Sequence, residues 1–151
     1  MKLLIPPPLV GLIIAGLMWL VAMRLGAALS FDFPARKTIA WMIAAPGIAI
    51  ELIAVASFFH ARTTVNPMAP GRTSKLVTGG LYRISRNPMY LGLGIVLTAW
   101  AVALGNPLNA GLLALFIWYI TEFQIKPEEA AMREKFGADY EAYCSRTRRW
   151  I

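Results

Sequence analysis

Charge is what this sequence has least of. Only 15% of its 151 residues are charged, where a soluble globular domain carries roughly 25%. The deficit is explained if much of the surface meets lipid instead of water. Histidine and cysteine are scarcer still, with one of each, His60 and Cys144. A single cysteine excludes an internal disulfide. One His with one Cys argues against a zinc site built from these residue types, and no metal is expected. Cys144 stands in a polar tail without a neighbouring His, which reads as a surface or interface thiol. The chain shows no internal repeat, no low-complexity segment and no dinucleotide fingerprint. Gly92-Leu93-Gly94 lies inside an apolar run and lacks the third glycine.

What is present is hydrophobic: 58% of the residues, with a mean hydropathy of +0.56. Leu9 to Leu29 is a nearly unbroken apolar run, long enough to cross a hydrocarbon core as a helix. Lys2 gives it a positive start, but Pro6-Pro7-Pro8 and its length argue against a signal peptide. A second run extends from about Thr38 to Phe59, with Pro46 as an expected kink and Glu51 near its middle. Ala61 to Pro88 is a long polar loop rich in Pro, Gly and Arg. Met89 to Leu104 and Leu108 to Ile125 are apolar again. Gly105-Asn106-Pro107 joins them as a tight turn, which makes a hairpin. Pro127, Glu128 and Glu129 then open a polar helical tail.

The expected architecture is therefore all-α, a polytopic membrane protein of about four transmembrane helices with a C-terminal amphipathic helix. It reads as one membrane domain, with two helices in 1–60 and a core of loop, hairpin and tail in 61–151. With four crossings, the N-terminus, the polar loop and the tail share one side. That side holds Lys2, Arg62, Arg72, Lys75, Arg83, Arg86, Lys126, Arg133, Lys135, Arg146, Arg148 and Arg149, twelve of the fifteen Lys and Arg. The positive-inside rule places loop and tail in the cytoplasm. A net charge of +7 raises the question of nucleic acid. The cations cluster at the ends of apolar segments, as topology requires, so no nucleic-acid partner is expected.

Three places carry candidate chemistry. In the tail, Met132, Phe136, Tyr140 and Tyr143 recur at helical spacing, bordered by Glu128 and Glu129. Arg146 falls in line with Glu128 if that helix continues unbroken. This stripe either closes a polar pocket or lies on the membrane as an amphipathic helix. At the loop's end, Arg86 and Asn87 sit where Pro88 starts the third apolar helix. Free N–H groups and the helix dipole there favour an anionic ligand group; membrane phosphates would serve as well. Finally, Glu51 and Glu122 are carboxylates within apolar runs. Glu122 has Lys126 at i+4. Glu51 has no evident partner, which leaves open a small four-helix transporter built on it.

Three blocks of the second half, roughly Thr63 to Ile151, resemble the isoprenylcysteine carboxyl methyltransferase family, which is related to membrane phospholipid methyltransferases. Gly80 to Gly92, GLYRISRNPMYLG, is similar to the family's G-x-Y-x-x-x-R-H-P-x-Y-x-G. Glu128-Glu129 directly follows the last apolar run. Phe136 to Arg146, FGADYEAYCSR, is similar to F-G-x-x-Y-x-x-Y-x-x-R. Asn87 stands where the eukaryotic enzymes have His; an amide can still donate and accept hydrogen bonds.

The resemblance implies an enzyme that transfers a methyl group from S-adenosylmethionine to a lipophilic acceptor. The foremost acceptor is the carboxylate of an isoprenylcysteine-like substrate; lipid amines and small thiols are the alternatives. It implies that Tyr82, Arg86, Asn87, Tyr90, Glu128, Glu129 and Tyr140 hold the cofactor; the charge asymmetry puts that site at the cytoplasmic face, and the short chain reads as a protein of a bacterial inner membrane. Arg146 and Glu129 would act on the acceptor. The acceptor, a small lipophilic molecule or a prenylated protein, would enter sideways from among the membrane lipids.

Overall fold

Proline opens two of the helices and glycine closes one. The computed structural model describes residues 5–60 and 76–151. Helix α1 spans Pro7–Leu29 and α2 spans Arg36–His60, running on through Pro46. Both start slightly earlier than the apolar runs alone indicate. After Leu76 to Gly79 a 3-10 turn covers Gly80–Arg83. Helix α3, Pro88–Leu104, begins on Pro88, whose missing N–H costs nothing in a first turn. It ends at Gly105, whose φ of 64° is the left-handed cap. Helix α4 spans Asn109–Ile120, a π turn covers Thr121–Ile125, and α5 spans Lys126–Cys144. The only β pairing among the described residues is one parallel bridge, Ser85 to Arg148. Of the cations assigned to the cytoplasmic side, Lys2, Arg62, Arg72 and Lys75 lie outside the described residues.

The chain is all-α, and two of its helices are long and apolar enough to cross a membrane, over Pro7–Leu25 and Arg36–Ser57. Helix α3 is apolar but shorter, at 17 residues, and α4 has 12. Both long helices turn large apolar side chains outward, with Leu12 at 69% exposure, Trp41 at 71% and Leu52 at 65%. Water would penalise such faces; hydrocarbon does not.

Helix α3 lies at the centre, with α2 along one side and α1 and α4 on the other. One apolar cluster joins Val10, Ile14 and Met18 of α1 to Tyr90 and Leu97 of α3 and Phe116 and Ile120 of α4. Trp100 Nε1 donates to the Ala15 carbonyl at 3.1 Å, pinning α3 to α1. Against α2 the approach is close enough to require glycine. A β-carbon on Gly92 would stand 2.8 Å from the Gly47 carbonyl oxygen and 3.0 Å from the Glu51 nitrogen. These neighbours are backbone, so no rotamer change relieves the clash. Small residues at such crossings are how helices pack where no hydrophobic effect drives them together. Gly92→Ala is expected to cost about 1–3 kcal/mol, and Gly92→Leu to abolish folding. An unchanged thermal unfolding midpoint for Gly92→Ala in detergent would contradict the close approach.

The tail departs from the expected single amphipathic helix. Gly137 breaks α5 with φ 48° and ψ −121°, a region that only glycine enters readily. The stripe nevertheless packs as one surface. Tyr140 and Tyr143 are buried with Tyr82 and Ala54, and Met132, Phe136 and Met89 close around them. The aromatic face of the tail is thus covered by protein from α2, α3 and the 3-10 turn.

Candidate functional site

The candidate site is built from two segments that pair as strands do, Arg83 to Asn87 and Thr147 to Arg149. The Arg86 N–H donates to the Arg148 carbonyl at 3.0 Å. The Asn87 side chain donates to the Arg149 carbonyl at 2.9 Å, and its N–H donates to Ser85 Oγ at 3.1 Å. Pairing places Arg86 and Arg149 beside the start of α5, where Glu129 waits.

Glu129 is the hub. It is 3% exposed. Arg149 grips it with two prongs, Nε to Oε1 at 3.1 Å and Nη2 to Oε2 at 2.8 Å. Arg86 Nη2 donates to Oε1 at 2.9 Å. Two-pronged Arg–carboxylate contacts are the strong, directional kind. Burial opposes ionisation of Glu129, but the Arg149 hydrogen bonds and the Arg86 and Arg149 charges outweigh it. Its carboxyl is held below the ordinary range. Arg86 also donates through Nη1 to the Thr147 carbonyl at 2.9 Å and the Cys144 carbonyl at 3.3 Å. It thereby caps carbonyls at the end of α5, which a cation does well. Its Nε is buried without a partner.

Glu128 is the opposite case. It accepts a hydrogen bond from the Tyr90 hydroxyl at 2.6 Å, and no cation among the described residues pairs with it. Burial, opposed by that hydrogen bond and aided by the Glu129 charge, pushes it up to about 7. Two neighbouring carboxylates therefore hold opposite protonation tendencies, a pattern that marks functional sites. Tyr82 is buried nearby, and burial, with Tyr143 and Glu128 adding to it, holds its phenol protonated. Tyr143 donates to the Tyr82 carbonyl at 2.7 Å. Tyr140 packs edge-on to Tyr143, and the Arg133 guanidinium lies 5.8 Å from its ring centre.

Of the residues named from sequence, Arg86, Asn87, Tyr90, Glu128 and Glu129 come together, and Tyr82 and Tyr140 stand in the tyrosine cluster beside them. Arg146 does not join them. It is exposed, and its Nε donates to the Ala142 carbonyl at 3.0 Å. The wheel that aligned it with Glu128 assumed an unbroken helix, whereas α5 is broken at Gly137 and ends at Cys144. Arg149, which sequence reasoning passed over, holds Glu129 instead. Nothing in the run from Arg146 to Arg149 singles it out; only the pairing with the Ser85 segment does. Glu122 meets Lys126, as the i+4 spacing indicates. Glu51 is half-buried and has no hydrogen-bond or ion-pair partner among the described residues. No group of three or more His, Cys, Asp or Glu that would hold a metal occurs among them.

Comparison with known proteins places the chain in a family. The family model described as phospholipid methyltransferase matches residues 35–139. A probable protein-S-isoprenylcysteine O-methyltransferase of Oryza sativa subsp. indica is 38% identical over 72 residues, covering 48% of this chain and 38% of the relative. The protein-S-isoprenylcysteine O-methyltransferase of Mus musculus is 28% identical over 120 residues, 76% of this chain and 42% of the relative. An uncharacterized protein of Haemophilus influenzae is 43% identical over 63 residues, 42% of this chain and all of that relative. The chain thus spans well under half the length of the two named methyltransferases. No solved structure matches. With more than half of its length matched by the family model, the chain belongs to the phospholipid methyltransferase family.

Proposed function

We propose that this protein is an S-adenosylmethionine-dependent methyltransferase of the membrane, acting on a lipophilic acceptor at the cytoplasmic face of a bacterial inner membrane. One observation carries the reading. The Arg86–Asn87–Tyr90 block and the Glu128–Glu129 pair, far apart in sequence, meet in one hydrogen-bonded cluster. On this reading α1, α2, α3 and α4 with its π turn make four crossings, and the cluster, in the proposed core of 61–151, lies at the membrane's inner edge.

The donor set suits the cofactor. Bound there, S-adenosylmethionine would supply an electrophilic methyl on a sulfonium. Glu128 offers a carboxylate acceptor to ammonium or ribose hydroxyl groups. Arg86 retains a buried, unspent Nε. Tyr90, Tyr82, Asn87 and Tyr140 are the further residues proposed to hold it. Displacement at a methyl needs alignment above all, so a rigid Glu129–Arg86–Arg149 frame serves it. The foremost acceptor is an isoprenylcysteine-like carboxylate, already a nucleophile at neutral pH. Glu128 near 7 favours a second reading, in which it takes the proton of a lipid amine or thiol. The acceptor arrives between helices from the surrounding lipid.

Calorimetric titration of the folded protein in nanodiscs with S-adenosylhomocysteine is expected to show saturable binding at one site. Absence of binding would sink the reading. Arg146, exposed beside this frame, is proposed to orient the acceptor together with Glu129. Arg146→Lys is then expected to keep cofactor binding and lose more than about a hundredfold in methyl transfer. Full activity would return Arg146 to phosphate anchoring.

A further inference from the structure

Gln124 is the polar exception on an apolar face. It is 1% exposed, with Phe116, Ile120 and Ile125 at 0% around it. Burying an amide is costly unless it is hydrogen-bonded. Its Nε2 donates to the Ile5 carbonyl at 2.6 Å, outside α1, while its Oε1 is buried with no partner. Core packing alone would favour an aliphatic side chain here. Gln124 also lies inside the π turn Thr121–Ile125, one helical turn before Glu128. A π turn inserts one extra residue, and one residue corresponds to about 100° of helix rotation. The direction in which Glu128 points therefore depends on the π turn surviving.

We propose that Gln124 is a positioning residue: by tethering the π turn to the Ile5 carbonyl it keeps Glu128 aimed at Tyr90. The tether links the segment ahead of α1 to the candidate site. Ile5 and Trp150 pack on the same cluster as Tyr90 and Ile125, so both ends of the described chain close on this turn. Without the tether the turn relaxes toward α pitch, and Glu128 rotates away from Tyr90 toward water. The inference rests on Glu128 belonging to the functional site, but its test does not require the cofactor.

The test tracks Glu128 directly by carbon-13 NMR of its carboxyl in the full-length protein, assigned with Glu128→Gln. The groups facing Glu128 are Tyr90 from α3, Tyr82 from the 3-10 turn and Glu129 on its own helix. Gln124→Met keeps the length and volume of the side chain and removes the donor. Its Glu128 midpoint is expected to fall from near 7 by about one pH unit or more. Adding Tyr90→Phe should then change the midpoint little further, because the two substitutions break one linkage. Gln124→Asn, too short to reach Ile5, should behave as Gln124→Met does and stands in for it if that variant misfolds. An unchanged Glu128 midpoint in either folded variant overturns the proposal. If the midpoint shifts but the wild type binds no S-adenosylhomocysteine, the tether stands and the methyltransferase reading falls.

Discussion

Glu129→Ala is expected to unfasten the end of the molecule where the tail meets the start of α3. The substitution leaves two guanidinium groups without their shared carboxylate. The Arg86 side chain is only 12% exposed and that of Arg149 34%. Removing one partner of a buried ion pair costs about 3–5 kcal/mol, because an uncompensated charge stays behind. Arg86 would also lose its hold on the carbonyls that end α5. A contrasting pair lies farther along the tail, where Arg133 Nε meets Glu141 at 2.9 Å with side chains 47% and 60% exposed. An exposed pair contributes about 0–1 kcal/mol. Glu141→Ala should therefore be almost silent, while Glu129→Ala exposes the tail to protease and lowers the unfolding midpoint sharply. Equal effects at the two sites would refute the hub. Its pH dependence has a definite sign. Glu129 titrates below its ordinary 4.5 when folded, so its contribution is complete above that value and disappears as the pH falls through the folded midpoint.

Glu128 should give the second large effect, as a pH dependence of ligand binding. Its folded midpoint near 7 lies above the ordinary 4.5, so between these values the folded protein holds a proton that the unfolded chain has lost. Stability therefore declines as the pH rises from 4.5 to 7 and levels off beyond. Binding runs the other way. A ligand that needs the ionised carboxylate must first remove that proton, at a cost of about tenfold per pH unit below the midpoint. S-adenosylhomocysteine affinity is expected to rise about a hundredfold between about pH 5 and 8 and then reach a plateau. Glu128→Gln should bind weakly at about pH 8 and with no such rise. A wild-type profile that is flat across this range would show that Glu128 does not meet the ligand ionised.

The contrast between these adjacent residues shows how identical side chains acquire opposite protonation tendencies. Glu129 is neutralised by two arginines and stays ionised, so it fits a structural and orienting part. Glu128 meets a phenol and burial instead, which leaves its proton free to come and go. The pair Glu128-Glu129 was legible in the sequence, but the division into one ionised and one readily protonated carboxyl was not. That division depends on which neighbours the fold delivers, Arg149 from one segment and Tyr90 from another.

Local chemistry was sufficient for much of the architecture. Apolar runs of helical length, Pro88 at a first turn and Gly105 at a left-handed cap act within a few residues of chain, so the sequence alone set the helices and the hairpin turn. The three motif blocks and the helical stripe that carries Tyr140 and Tyr143 were likewise readable from spacing, but whether that stripe faced protein or lipid was not. Only the tertiary structure decided the rest. The break at Gly137 and the π turn at Thr121–Ile125 each rotate the residues beyond them, and a helical wheel drawn through them points the wrong way, as it did for Arg146. The choice of Arg149 came from a strand-like pairing between its segment and that of Ser85, about sixty residues away, which no local pattern encodes. The burial of Gln124 against Ile5 joins positions more than a hundred residues apart. Periodicity acts along the chain, whereas hydrogen bonds and ion pairs form between whatever groups the finished packing brings within about 3 Å.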